Sequence, residues 1–194
     1  MAKKLESSFK NMVLVLFTVT LIASTAVGYM HEFTKGPIEI AKQNKKLQAI
    51  KDVVPVFDND PSADMYSITT EDGGTIELYP ATKDGVLVGT AVKTYTKKAF
   101  SGIFWLMVGL KPDGTIIDYS VLEHKETPGL GSKMVEWFKV EGKQNIKDKN
   151  PKTTKFTVSK DGGDIDAITA ATISSRAFLD AVNNAYNAYM KDKK

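Results

Sequence analysis

An α+β domain behind a single membrane-spanning helix is the architecture this sequence predicts. Three patterns predict it: an uncharged apolar run over residues 12–30, strand-like segments parted by Gly-containing turns over residues 65–123, and a helical periodicity near the C-terminus. The 194 residues suit one ordinary domain plus an appendage. A charged fraction of 25% argues for a packed fold rather than disorder.

The first element is the run MVLVLFTVTLIASTAVGYM, whose 19 residues carry no charge. About 20 apolar residues cross a bilayer as a helix. Lys3, Lys4 and Lys10 precede it against the single acid Glu6, while Glu32 and Lys35 follow. The basic side stays cytoplasmic, which sends the C-terminal bulk outside. A cleaved signal peptide is the rival, with Ser24-Thr25-Ala26 as a small-residue site. Against it, the run exceeds the usual signal core of about 7–15 residues. The expected division is a cytoplasmic N-terminus over 1–11, a transmembrane helix over 12–31, a helical stalk over 32–60 and a folded domain over 61–194.

Pro37 suits the first turn of the stalk helix, which continues to Val54 with Ile40, Leu47, Ile50 and Val54 facing inward, and Pro55 ends it. Strands follow at 76–79 after Gly73-Gly74, at 86–95 after Asp84-Gly85, and at 103–110, whose continuous apolar character predicts an interior strand. Pro112-Asp113-Gly114 turns the chain into a strand over 115–123. Short turns between consecutive strands predict an antiparallel meander. A short helix is expected over 132–138 with Met134, Val135 and Phe138 as its apolar face, then a polar loop over 143–152 and a strand over 155–158. In the last helix Phe178, Ala181, Val182, Ala185 and Tyr189 recur at helical spacing, and its start lies near 172–175.

Composition excludes several chemistries. With no cysteine, disulfides, iron–sulfur clusters, thiolate metal sites and cysteine nucleophiles all fall away. His31 and His124 are the only histidines, too few for a histidine-based metal cage, so no metal site is expected. The net charge of +3 is spread thinly: Lys3-Lys4, Lys45-Lys46, Lys97-Lys98 and Lys193-Lys194 stand apart, and nucleic-acid binding is not expected.

Two constellations can carry chemistry. In the first, Asp166-Ala167-Ile168-Thr169-Ala170-Ala171-Thr172-Ile173-Ser174-Ser175, small residues crowd the entry to the last helix. Free amides and the positive end of the helix dipole favour a phosphate there. Local physics equally allows Thr169 or Thr172 to act as a plain helix cap, the commoner fate of such residues. In the second, His124-Lys125-Glu126-Thr127-Pro128-Gly129-Leu130-Gly131, Pro128-Gly129 suits a type II turn with Gly129 at positive φ. Gly131 allows backbone to approach a ligand, although an ordinary tight connection has the same composition. His124 reads as a hydrogen-bonded or exposed loop residue.

Together these motifs resemble the FMN-binding domain family shared by the G subunit of Rnf ion-translocating oxidoreductases and the C subunit of sodium-pumping NADH:quinone oxidoreductases. The family's attachment motif runs Asp, two variable residues, Ser or Thr, Gly, Ala, Thr. Asp166, Thr169, Ala171 and Thr172 match it, with Ala170 in place of the Gly. Glu126-Thr127-Pro128-Gly129-Leu130-Gly131 matches the family's loop at every position, and Phe100-Ser101-Gly102 resembles its aromatic–small–Gly segment. The short chain favours the Rnf subunit over the quinone-reductase subunit.

The resemblance implies FMN joined through a phosphodiester to Thr172, which overrides the capping reading there and leaves Thr169 free to cap. It implies cofactor-binding roles for Glu126, Thr127, Pro128, Gly129, Leu130, Gly131, Thr169, Ala171, Ser174 and Ser175. The amides after Thr172, with Ser174 and Ser175 nearby, would hydrogen-bond the phosphate oxygens. Thr127, Leu130 and Gly131 would meet the flavin ring or its ribityl chain, and Lys133 would offset charge on reduced flavin. It implies an inner-membrane electron-transfer subunit linking ferredoxin and NAD to Na⁺ or H⁺ transport. Its partners would be other membrane subunits and a flavin transferase, with no soluble metabolite substrate of its own. The alternatives are the equivalent quinone-reductase subunit and a flavin-free, membrane-anchored adaptor.

Overall fold

The computed structural model describes residues 8–70 and 73–192. The flanking charges Lys3, Lys4 and Glu6, and the pair Lys193-Lys194, lie outside the described residues. Two compact units divide the chain, residues 1–44 and residues 45–194.

The first unit is helical. Helix α1 runs Phe9–Val53 without interruption, with Pro37 inside it. Residues 12–30 are all exposed. At a rise of about 1.5 Å per residue, this stretch is about 28 Å long, close to a bilayer's hydrocarbon thickness. Its hydroxyls satisfy themselves: Thr18, Thr20 and Thr25 donate to the carbonyls of Leu14, Leu16 and Leu21 at 2.8, 2.9 and 2.7 Å. A lipid-facing helix can therefore carry these residues without an orphaned donor. Pro37 is not the first turn of a separate helix, because the chain enters it already helical; only one backbone hydrogen bond is forgone there.

The second unit is an antiparallel meander. Strands β1 (Tyr66–Thr69), β2 (Thr75–Lys83), β3 (Val86–Thr96), β4 (Phe104–Leu110) and β5 (Ile116–Glu123) lie in sequence order. The strands expected between residues 65 and 123 and their antiparallel pairing are thus present, and β4 is interior, paired with β3 and β5. Helix α2 (Met134–Trp137) continues a 3-10 turn at Gly131–Lys133, and helix α3 (Thr172–Asp192) closes the chain.

Helices cover both faces of the sheet. On one, α3 buries Phe178, Ala181, Val182, Ala185 and Tyr189 against Leu78, Val92, Leu106 and Val108, the periodicity seen in the sequence. On the other, the last turns of α1 bury Ala49, Ile50 and Val53 against Tyr79, Ala81, Ala91 and Met107. Alternation along β2–β4 sends successive side chains to these two cores.

Several details depart from the sequence expectation. Ile50 and Val54 are buried, but Ile40 is 61% and Leu47 45% exposed, because the first buried residue of the helix is Ala49. Met134 and Phe138 are buried while Val135 is 44% exposed; Trp137 packs on the core in its place. Residues 155–158 form no strand, only a single bridge between Val158 and Ile165. Their backbone bonds locally instead, Thr157 N–H to Lys155 C=O and Asp164 N–H likewise.

Candidate functional site

The start of α3 is built by its own first turns. Ile168 to Ala171 form a tight turn, with Ala171 N–H donating to Ile168 C=O at 3.0 Å. Ala170 sits at its third position with φ +61°, the left-handed conformation a type II turn needs there. Ser175 stitches this turn to the helix: its hydroxyl accepts from Ile168 N–H at 2.9 Å and donates to Ala171 C=O at 3.0 Å. Thr172, the first helical residue, is half-buried. The first backbone bond across the helix start is Ser175 N–H to Ala171 C=O, so the amides of Thr172, Ile173 and Ser174 are the orphan donors common to helix N-termini.

The segment before this turn is pinned from outside. The Ser159 hydroxyl donates to the Asp166 carboxylate, and Trp137 Nε1–H donates to Asp166 C=O at 3.1 Å. Arg176 grips Asp161 through Nε and Nη2 at 2.7 and 2.8 Å. That pairing holds the Asp161 carboxyl below its ordinary range. Asp166 therefore braces the turn that leads into α3.

The second motif packs against the first. Leu130 N–H donates to Thr127 C=O at 3.2 Å and Gly129 has φ +76°, the expected type II turn. Gly129 N–H also donates to Ser132 Oγ at 2.9 Å. Glu126 is 5% exposed, and its carboxylate accepts from Ser101 N–H at 2.8 Å and from the Ser174 hydroxyl. Three segments (residues 100–102, 126–131 and α3) meet on this one side chain. Gly131 is required beside it: an added Cβ would lie 2.4 Å from Glu126 Oε2 and 2.5 Å from Ser174 Oγ. Below, Tyr119 O–H donates to Met134 C=O at 2.7 Å, and burial pushes the Tyr119 phenol up.

The result is a cleft of about 320 Å³. Glu126, Thr127, Leu130 and Gly131 form one wall; Ala170, Ala171, Thr172, Ile173 and Ser174 form the other; Phe100 stands at the mouth. Phe100 is 67%, Leu130 41% and Ile173 48% exposed, so large apolar surfaces face the opening. The combination suits a ligand with one anionic end and a flat apolar body: orphan amides and the helix dipole for the former, these three side chains for the latter.

The structure thus brings the two sequence motifs together and sorts their members. Ser175 is fully buried and engaged in capping, and Ser174 spends its hydroxyl on Glu126, so neither hydroxyl is free for a phosphate. Pro128, Gly129, Thr169 and Lys133 are exposed and stand outside the cleft walls. His124 accepts Glu126 N–H at Nδ1, at 3.2 Å, a loop hydrogen bond. Ser175, not Thr169, stitches the helix start. Sequence reasoning missed Ile173; its signal was an apolar residue off the buried face of an otherwise regular amphipathic helix.

Ala170 carries a testable cost. A side chain in the left-handed region costs about 1–2 kcal/mol, offset by about 0.4–1 kcal/mol of unfolded-state entropy when Gly replaces Ala. Ala170→Gly is therefore expected to stabilise the chain by about 0.5–1 kcal/mol in denaturant unfolding. A loss of stability would mean that the turn is not strained.

Comparisons with known proteins cover this part of the chain. The FMN-binding domain model matches residues 100–187, which include both cleft walls. Relatives described as the G subunit of an ion-translocating oxidoreductase complex match nearly the whole chain. The Yersinia pestis protein is 35% identical over 182 residues, covering 87% of this chain and 85% of its own length. The Vibrio atlanticus protein is 31% identical over 188 residues, covering 92% and 89%. The Cereibacter sphaeroides protein is 29% identical over 182 residues, covering 91% and 82%. With similarity running through helix, sheet and cleft alike, the chain belongs to the G-subunit family of ion-translocating oxidoreductase complexes.

Proposed function

We propose that this chain is the membrane-anchored electron carrier of an Rnf-type complex, with FMN held by a phosphodiester to Thr172. The observation that carries the reading is the position of Thr172: a half-buried hydroxyl on the first residue of a 21-residue helix, in a cleft wall facing the Glu126–Gly131 loop.

FMN supplies the electron-accepting and electron-donating chemistry when bound. This chain's residues do the rest. Thr172 provides the ester oxygen, which keeps the cofactor from diffusing away between turnovers. The amides of Ile173 and Ser174, at the positive end of α3, balance the charge of the phosphodiester. Leu130, Ile173 and Phe100 offer apolar surface to a flat ring and keep water from it. No general base or nucleophile set is needed for passing electrons.

The run over residues 12–30 anchors the domain, and Lys3, Lys4 and Lys10 against Glu6 support a cytoplasmic N-terminus with the flavin domain outside. The run carries no Asp, Glu, Lys, Arg or His, which supports an ion path through other membrane subunits. The family relationship supports electron flow between ferredoxin and NAD coupled to Na⁺ or H⁺ movement, and maturation by a flavin transferase.

The test is intact mass of the membrane-extracted protein, with peptide mapping across residues 165–176. One esterified FMN on the peptide containing Thr172 is expected. An unmodified peptide from cells with a working flavin transferase would overturn the reading and favour the flavin-free adaptor.

A further inference from the structure

The acid in the cleft wall has a role that the attachment chemistry does not use. Glu126 is 5% exposed, yet no Lys, Arg or His nitrogen lies within ion-pair distance of it among the described residues. Its two oxygens are each held by a neutral donor, Ser101 N–H on one and the Ser174 hydroxyl on the other. A stability role alone asks only for hydrogen bonding, which a neutral amide of the same shape supplies. At its formal charge the Glu126 carboxylate has no cation beside it among the described residues, and it lines the same cleft as Thr172. Charges separated by protein rather than water interact strongly.

We infer that Glu126 tunes the flavin's reduction potential downward through its charge, while its two hydrogen bonds position the loop and the helix start. The inference rests on the proposed flavin at Thr172. The electron in question comes from a one-electron donor and adds one negative charge to the cleft; a fixed negative charge in the wall opposes that addition. Glu126 is thus a positioning and tuning residue, acting on the cofactor's electrostatics without exchanging protons or electrons.

The two roles are separable. Glu126→Gln keeps the shape: its carbonyl accepts from Ser101 N–H and its amide donates to the Ser174 hydroxyl, which then acts as acceptor. Ser174→Ala keeps the charge and loses one clamp bond. In spectroelectrochemical titration of the flavin-loaded full chain, Glu126→Gln is expected to favour reduction by roughly tenfold, about 59 mV for one electron. Its melting point should remain near that of the wild type. Ser174→Ala is expected to melt lower with an unchanged potential. A Glu126→Gln protein that folds with the wild-type potential overturns the inference. If Glu126→Gln does not accumulate, Glu126→Asp decides: the wild-type potential with a lower melting point supports the role of charge, and a raised potential assigns the effect to lost geometry and overturns it. Wild-type chain lacking covalent flavin would overturn the proposed function itself, an outcome visible by mass before any titration.

Discussion

Thr172→Ala is expected to carry no covalent flavin and to remain folded. The hydroxyl is the only group on this side chain able to form the ester, and the alternative, Thr169, is exposed and outside the cleft walls. Loss of attachment should therefore be complete rather than partial. The fold should be indifferent. No hydrogen bond to the Thr172 hydroxyl occurs among the described residues, and Ser175 already stitches the helix start to the turn. Ala is also the better helix former, so the expected stability change lies within about 0.5 kcal/mol. Flavin fluorescence after denaturing electrophoresis reads the first effect, and a thermal melt reads the second. Thr169→Ala is the control and should keep its flavin. A Thr172→Ala protein that retains covalent chromophore would move the attachment to another residue.

The largest loss of stability is expected at Phe178. Its ring is fully buried, stacked on Phe138 with centroids 4.1 Å apart, and edge-on to Tyr119 at 4.8 Å. These three rings join α3 to β5 and to the residue after α2, so they seat the helix whose first residue is Thr172. Truncating a buried Phe to Ala costs about 3–5 kcal/mol in transfer energy and cavity. Against a total of about 5–15 kcal/mol for an ordinary domain, that is a large share. Denaturant unfolding of Phe178→Ala should show it, with flavin incorporation falling in parallel because the helix start is no longer held. Phe178→Leu should lose much less. A cost below about 1 kcal/mol would mean that Phe138 and Tyr119 close over the space.

The sheet and the last helix were legible because each carries a local code. Strand alternation, the Asp84-Gly85 and Pro112-Asp113-Gly114 turns, and the spacing of Phe178, Ala181, Val182, Ala185 and Tyr189 express period and turn chemistry, which neighbouring residues set among themselves. Residues 155–158 misled for a related reason. Strand character there had no neighbouring strand to complete it, and strand formation is a property of pairs. Val135 misled because an apolar residue on a short helix can face either way until a core exists to receive it, and Leu47 because α1 meets the core only from Ala49 onward. Thr172 was identifiable as a special residue only through the family's motif; its own chemistry is that of many caps.

By itself the sequence determined an apolar segment able to span a membrane, an antiparallel meander, a C-terminal amphipathic helix, and two short motifs separated by a span of unrelated residues. The tertiary structure alone decided how those motifs share the labour. It placed the Glu126 carboxylate on the Ser174 hydroxyl, turned Ser175 inward to the helix start, left Thr172 on the cleft wall, and set Phe100 and Ile173 at the opening. The physical reason is range. Period, turns and caps are settled within a few residues, whereas burial of a carboxylate and the walls of a cleft depend on segments tens of residues apart being packed together.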